Sequence, residues 1–208
     1  VDPVTGTVTA ITDHFTVFAL MAMPDMPALP DTKGHWAETH VLRLVSLGVV
    51  SGYEDGTFRP ETGITREEFA KMVVLAAGLE PVAEPELGFS DADEIQGWAR
   101  GYVAAAVEAG IIIGLPENRF GPGERVTRQQ AATMIGRALG VEVGAAGTPT
   151  SFVDDGDIES WALAALNLAV EKGLITGFPD NSFKPAENVT RAQAASMLAK
   201  LTVVRLAD

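Results

Sequence analysis

A tryptophan, a glycine twelve residues on, another glycine four further, and a Thr-Arg pair whose arginine lies thirty residues after the tryptophan: this series occurs three times in the chain. The tryptophans are Trp36, Trp98 and Trp161, and the arginines are Arg66, Arg128 and Arg191. Between them come Gly48, Gly110 and Gly173, then Gly52, Gly114 and Gly177, then Phe58, Phe120 and Phe183, each followed two residues later by Pro60, Pro122 or Pro185. Spacing held this tightly means three like supersecondary units. Such units bury their apolar faces against one another and not alone.

Each copy reads as helix, glycine-punctuated loop, helix, so the predicted class is all-α. The first helix carries one apolar face, with Ala37, Val41, Leu44 and Val45 in copy one, Ala99, Val103, Ala106 and Val107 in copy two, and Ala162, Leu166, Ala169 and Val170 in copy three. Gly48, Gly110 and Gly173 stand where a left-handed glycine would stop that helix. The second helix opens with a capping-box pattern, Thr65 with Glu68, Thr127 with Gln130 and Thr190 with Gln193, each worth about 1 kcal/mol. Its buried stripe is Phe69, Met72, Val73 and Ala76, then Ala131, Met134, Ile135 and Ala138, then Ala194, Met197, Leu198 and Leu201. Small residues there let helices approach closely. Pro81 to Gly88 and Gly140 to Ser151 have the composition of inter-repeat linkers.

Residues 1–30 stand outside the repeat. The runs Thr7–Ile11 and Phe15–Leu20 flank Thr12-Asp13-His14, a strand-turn-strand pattern that reads as the remnant of a preceding β domain or as strands docked on the repeats. Met21 to Pro30 reads as a linker. The predicted divisions are 1–28, 29–86, 87–148 and 149–208. The start, Val1-Asp2-Pro3, has neither an initiator methionine nor a charged leader, so the chain reads as a segment of something larger.

Composition removes whole classes of chemistry. With 208 residues and 47% hydrophobic content the chain can fill a core. There is no cysteine, hence no disulfide, thiolate metal site or thiol nucleophile. A formal charge of −13 argues against nucleic acid and acidic membranes as partners, because both call for a basic footprint. No apolar run is long enough for membrane insertion. The clusters at Asp91 and Asp154 do not make EF-hand loops, since Gln96 and Glu159 hold the sixth position and Tyr102 and Ala165 the twelfth. Turn and helix-cap duty is the better reading. His14, His35 and His40 form no recurring metal or catalytic spacing, so neither a metal, a cofactor nor a reaction is expected.

The arginines are the most informative polar residues. A cation in the first turn opposes the helix macrodipole at a cost of about 0.3 to 1 kcal/mol, yet all three copies place one there. Either a ligand carboxylate compensates, held bidentately by the guanidinium and by free amides of the helix start, or an acidic residue of a neighbouring copy does.

These landmarks resemble the S-layer homology domain, the SLH module, of bacterial cell-surface proteins. The resemblance rests on Leu29-Pro30-Asp31 through His35-Trp36-Ala37, on the run from Gly52 to Pro60, and on Ile64-Thr65-Arg66-Glu67-Glu68, with the plan repeated from Phe89 and from Phe152. Residues 1–28 are also similar, more weakly, to the strand-rich segment that can precede such modules. The resemblance implies three repeats about a pseudo-threefold axis, with grooves that bind a pyruvylated, N-acetylmannosamine-containing secondary cell-wall polysaccharide. The function it implies is noncovalent anchoring of a secreted protein to the cell wall or S-layer, with a cargo domain N-terminal to this segment. A surface-layer assembly module is the alternative. Arg66, Arg128 and Arg191 correspond to the family's motif arginine, and Asp31, Asp91 and Asp154 to the aspartate that opens each repeat.

Against that expectation, Trp36, Trp98 and Trp161 sit at the start of an apolar helix face and read first as core, with one edge free to line a groove. Tyr53 and Phe178, beside the loop glycines Gly52 and Gly177, are candidates for stacking on a sugar, whereas copy two has Leu115 beside Gly114. Phe58, Phe120 and Phe183 read as core plugs. The copies also differ at the motif glutamate, kept only as Glu68, and copies two and three have two more residues between aspartate and tryptophan. Unequal grooves follow, with the one on the copy-two loop offering the least stacking.

Overall fold

The computed structural model describes residues 29–207, with side chains through 204. The hairpin expected within residues 1–28 lies outside the described residues. Six helices carry the fold: α1 (Glu38–Ser46), α2 (Arg66–Ala76), α3 (Gly97–Glu108), α4 (Arg128–Ala138), α5 (Ser160–Glu171) and α6 (Arg191–Ala207). Each copy supplies one pair. Strand pairing among the described residues is limited to isolated antiparallel bridges, as between Gly63 and Thr190 or Thr127 and Asn188.

The helix ends form as their residues dictate. Gly48 takes φ 70°, and its amide donates to Val45 O while that of Val49 donates to Leu44 O, closing a Schellman motif. Gly110 and Gly173 repeat it with Ile111 and Leu174. At the other end of the loop all three capping boxes are complete. Thr65, Thr127 and Thr190 accept from the amides of residues 68, 130 and 193 at 3.3, 3.4 and 3.2 Å, and the return bonds are 2.9, 3.1 and 3.1 Å.

Packing runs from copy to copy. The second helix of one copy lies on the first helix of the next: α2 on α3, α4 on α5, and α6 back on α1. Gly136 of α4 shows how close this is, since a Cβ there would fall 2.5 Å from Ala165 Cα of α5. Phe58, Phe120 and Phe183 are wholly buried, as their position predicts, and each such ring stabilises by about 2 to 3 kcal/mol. The expected stripes fill the core except at their margins, where Val107 and Val170 are exposed. A residue eight positions after Ala99 or Ala162 stands about 80° round the helix from it, at the edge of the buried face.

Three buried residues close the assembly on itself. The Ile64 amide donates to Val189 O at 3.0 Å, the Val189 amide to Val126 O at 2.8 Å, and the Val126 amide to Ile64 O at 3.2 Å. Each copy gives one bond and takes one. Just outside this triangle, the first amide of each second helix donates to a loop carbonyl of another copy: Arg66 to Glu124, Arg128 to Glu187 and Arg191 to Thr62. The second amides of these helices go to Pro122, Pro185 and Pro60.

Candidate functional site

The loop between the paired helices is held from below. Asp31 accepts the amides of Phe58 and Arg59, Asp91 those of Phe120 and Gly121, and Asp154 those of Phe183 and Lys184, all at 2.6 to 3.1 Å. Burial pushes the Asp91 and Asp154 carboxyls up, but the paired amides outweigh it and leave both below the usual carboxylate range. Gly52, Gly114 and Gly177 leave room where the loop crosses a large side chain. A Cβ at these positions would lie 2.5 Å from Leu29 Cδ2, 2.8 Å from Phe89 Cε1 and 2.6 Å from Phe152 Cε1.

The residue after each core phenylalanine is left-handed, with φ 58° at Arg59, 71° at Gly121 and 58° at Lys184. In copies one and three this turn lays a cation over the loop aromatic. Arg59 Cζ is 4.1 Å from the Tyr53 ring centroid and Lys184 Nζ 4.5 Å from that of Phe178. Copy two changes both partners together, to Leu115 and Gly121, and a Cβ on Gly121 would meet Leu115 Cδ1 and Glu124 Cδ, each at 2.9 Å.

Each motif arginine reaches forward into the next copy. Arg66 Nε donates to Phe120 O at 2.7 Å, Arg128 Nε to Phe183 O at 2.7 Å, and Arg191 Nε to Phe58 O at 2.8 Å. All three side chains are buried, and their guanidinium groups lie over Phe120, Phe178 and Tyr53 respectively. For Arg66 and Arg128 the compensation for a cation at a helix start is therefore a backbone carbonyl. Acidic residues of the next copy contribute as nearby charges, not as bonded partners. Burial pulls both guanidinium groups below their ordinary pKa, while Glu124 and Asp91, and Glu187 and Asp154, offset this. Arg191 differs, because its Nη1 also meets Glu68 Oε1 at 3.1 Å, an inter-copy ion pair. The free amides expected at these helix starts are absent: the first two amides of each helix are taken by neighbouring carbonyls and the third by the capping threonine.

Trp36, Trp98 and Trp161 are 59%, 46% and 47% exposed, which corrects their reading as core. The buried stripe begins one residue later, at Ala37, Ala99 and Ala162, and one helical step turns a side chain about 100° away from it. That offset was present in the sequence pattern and is the signal that places the indoles on the surface.

Two cavities collect these residues. The first, about 770 Å³, is bounded by the copy-one loop with Tyr53, by Glu68 and Lys71 of α2, by Trp98 of copy two and by Arg191 of copy three. The second, about 350 Å³, has the same plan one copy on: the loop from Ile111 to Pro116, Gln130 and Arg137 of α4, Trp161 of copy three and Arg66 of copy one. In the third setting Arg128 Nη2 donates to Thr176 O at 3.3 Å and its guanidinium carbon lies 4.6 Å from the Phe178 ring centroid. Arg59, Lys71 and Arg137 were not singled out from sequence, and Glu68 was read there as a helix cap and motif residue, because their place in the groove follows from how the copies pair. Tyr53 donates to Glu68 at 2.6 Å, and burial first, then this bond, raises its pKa. Among the described residues no three acidic, histidine or cysteine side chains are grouped to hold a metal, and no helix is long and apolar enough to cross a membrane.

The family model described as the S-layer homology domain matches this chain three times, at residues 28–70, 88–132 and 151–195. An S-layer protein of Bacillus thuringiensis subsp. finitimus is 31% identical over 180 residues, covering 86% of this chain and 21% of that protein. An amylopullulanase of Thermoanaerobacterium thermosulfurigenes is 32% identical over 206 residues, which is 95% of this chain and 10% of the enzyme. An endoglucanase of Bacillus sp. (strain KSM-635) is 31% identical over 172 residues, 81% of this chain and 18% of the enzyme. The chain thus spans between a tenth and about a fifth of the length of these curated relatives.

Proposed function

This chain belongs to the S-layer homology domain family, a cell-surface module, and on that premise we propose that it holds its parent protein noncovalently on the wall by binding an anionic, pyruvylated secondary polysaccharide. The three copies are read as set about a pseudo-threefold axis, with the divisions at 29–86, 87–148 and 149–208. The observation that carries the reading is the composition of both cavities from several copies: a loop and helix of one, a rim tryptophan of the next and a buried arginine of the third. An exposed indole offers a sugar ring a stacking face, and a desolvated guanidinium favours a carboxylate over a neutral hydroxyl. Arg66, Arg128 and Arg191 are the charge contacts, Trp36, Trp98 and Trp161 the rim, and Tyr53 and Phe178 the loop contacts. Asp31, Asp91, Asp154, Gly52, Gly114 and Gly177 shape the loops that present them.

The relatives named for enzymes share with this chain a small fraction of their length, so the activities in their names are left with their other parts. A cargo domain on the parent protein is the corresponding proposal here. The test is co-sedimentation with wall polysaccharide before and after chemical removal of its acidic substituents. Binding lost with the acid groups supports the reading. Self-association of the protein with no retention on the polysaccharide would replace it with a surface-layer assembly role.

A further inference from the structure

The two cavities follow one plan and carry opposite charge. The Tyr53 groove is lined by Glu54, Asp55, Glu67 and Glu68 against Arg59, Lys71 and Arg191. Two cations, Arg66 and Arg137, and no carboxylate line the Leu115 groove. The state of the arginine at each floor differs in the same sense. Glu68 uses one oxygen to hold Arg191 Nη1 and the Tyr53 hydroxyl, and the other to cap Thr65. Gln130, its counterpart, spends its oxygen on the Thr127 amide and brings no charge. Arg66 lies over the Phe120 ring and has Glu124 and Asp91 as nearby charges, but its one side-chain hydrogen bond is from Nε to Phe120 O, and its two Nη groups have no hydrogen-bond partner among the described residues although the residue is 4% exposed.

We propose that the anionic group of the wall polymer is selected in the Leu115 groove, by Arg66 with Arg137, and that Glu68 acts as an internal carboxylate that keeps anions out of the Tyr53 groove and leaves it to uncharged, hydroxyl-rich sugar. This rests on the polysaccharide-binding reading and deepens it. A ligand carboxylate entering the Leu115 groove gains two unfilled donors on a desolvated cation, the situation in which charge-assisted bonds are strongest. The same carboxylate entering the Tyr53 groove must displace Glu68 from Arg191 or stand beside it, and like charges in a partly buried site repel. The leucine and the exposed Ile113 beside Arg66 also suit an apolar substituent such as the methyl group of a pyruvate ketal. Stacking area alone ranks the Leu115 groove below the Tyr53 groove, and charge ranks it above for an acid.

Trp98 lines one groove and Trp161 the other, so their indole N–H resonances report the two sites separately in the full 208-residue chain. The probes are N-acetylmannosamine bearing a pyruvate ketal, as the free acid and as its methyl ester. The acid should move Trp161 at a concentration about tenfold lower than Trp98, and the ester should lose that preference. Glu68→Gln is a mild change, since Gln130 and Gln193 already close capping boxes in this chain, and it should tighten the acid at Trp98 by about tenfold. Equal responses of the two indoles to the acid, or an unchanged Trp98 response in Glu68→Gln, overturns the inference. If neither indole responds to the acid while intact wall polysaccharide moves both, the inference falls and the anchoring reading stands. If the polysaccharide also leaves both unmoved, the anchoring reading falls and the inference with it.

Discussion

The Tyr53 and Leu115 grooves separate what the repeat must keep from what it is free to change. Both have an aspartate under the loop, a spacer glycine, a buried phenylalanine whose carbonyl takes an arginine, and a tryptophan at the rim. They part company at several lining positions, among them three linked ones where Tyr53, Arg59 and Glu68 become Leu115, Gly121 and Gln130. Within the shared set the aspartate and the glycine hold the loop of their own copy, and the arginine bonded to the phenylalanine carbonyl joins one copy to another. The variable group faces the cavity, and Glu68 also pairs with Arg191 of another copy, so the lining can diverge while the arginine–carbonyl bonds between copies are kept.

The contrast is sharpest at the arginines. Replacing Arg191 by Met strands the Glu68 carboxylate in a part-buried site and should cost about 3 kcal/mol. Replacing Arg66 by Met removes a cation that has Glu124 and Asp91 as nearby charges but no bonded carboxylate, and the relieved desolvation should hold the cost to about 1 kcal/mol. Urea unfolding measures both, and equal costs would erase the distinction drawn between the grooves.

Acid offers a second way in, through the loop under the Leu115 groove. Asp91→Asn keeps an acceptor for one amide but sets its NH2 against the other, a loss of about 2 kcal/mol at neutral pH. Because the Asp91 carboxyl is depressed in the folded protein, its stabilisation is complete above the unfolded value of about 4 and drains away as pH falls through the folded value. The gap between parent and variant should therefore close in unfolding curves taken from pH 5 down to pH 2. A constant gap would remove the carboxylate from the account.

The coupled loop pair predicts a smaller effect. Gly121→Arg forces a side chain into left-handed backbone against Leu115 and should destabilise by about 1.5 kcal/mol, with most of that recovered when Leu115→Tyr is added. Additive thermal shifts would show that the two positions are independent. Smallest of all is Arg59→Gly, where relief of about 1 kcal/mol of strain is set against loss of the Tyr53 contact, leaving stability within about 0.5 kcal/mol of the parent.

Much of this was legible from residue types at fixed spacing. The Schellman glycines and the Thr-Glu and Thr-Gln caps are local devices, fixed by three or four neighbouring residues, and they formed where expected. The phenylalanines that plug the core were equally plain. What sequence left open is tertiary: that Arg66 serves the copy-two loop and Arg191 the copy-one loop depends on how copies meet, which no spacing within a copy encodes. The amides expected to be free for an anion are claimed by carbonyls 55 to 132 residues away. The tryptophans are large enough for a core, but their one-residue offset from the apolar stripe puts them on the surface.

The hydrogen-bonded triangle of Ile64, Val126 and Val189 has a genetic consequence. Open stacks of repeats change length readily, since an inserted unit finds the same two neighbours it would have had anywhere. Here every unit's single donor and single acceptor are already spoken for, so a duplicated segment has no vacancy to enter, and a deleted one strips a buried amide and a buried carbonyl at once. Recombination between like stretches of the gene is thus screened by backbone valence. The number three is written into the centre of the molecule and not into the length of its linkers.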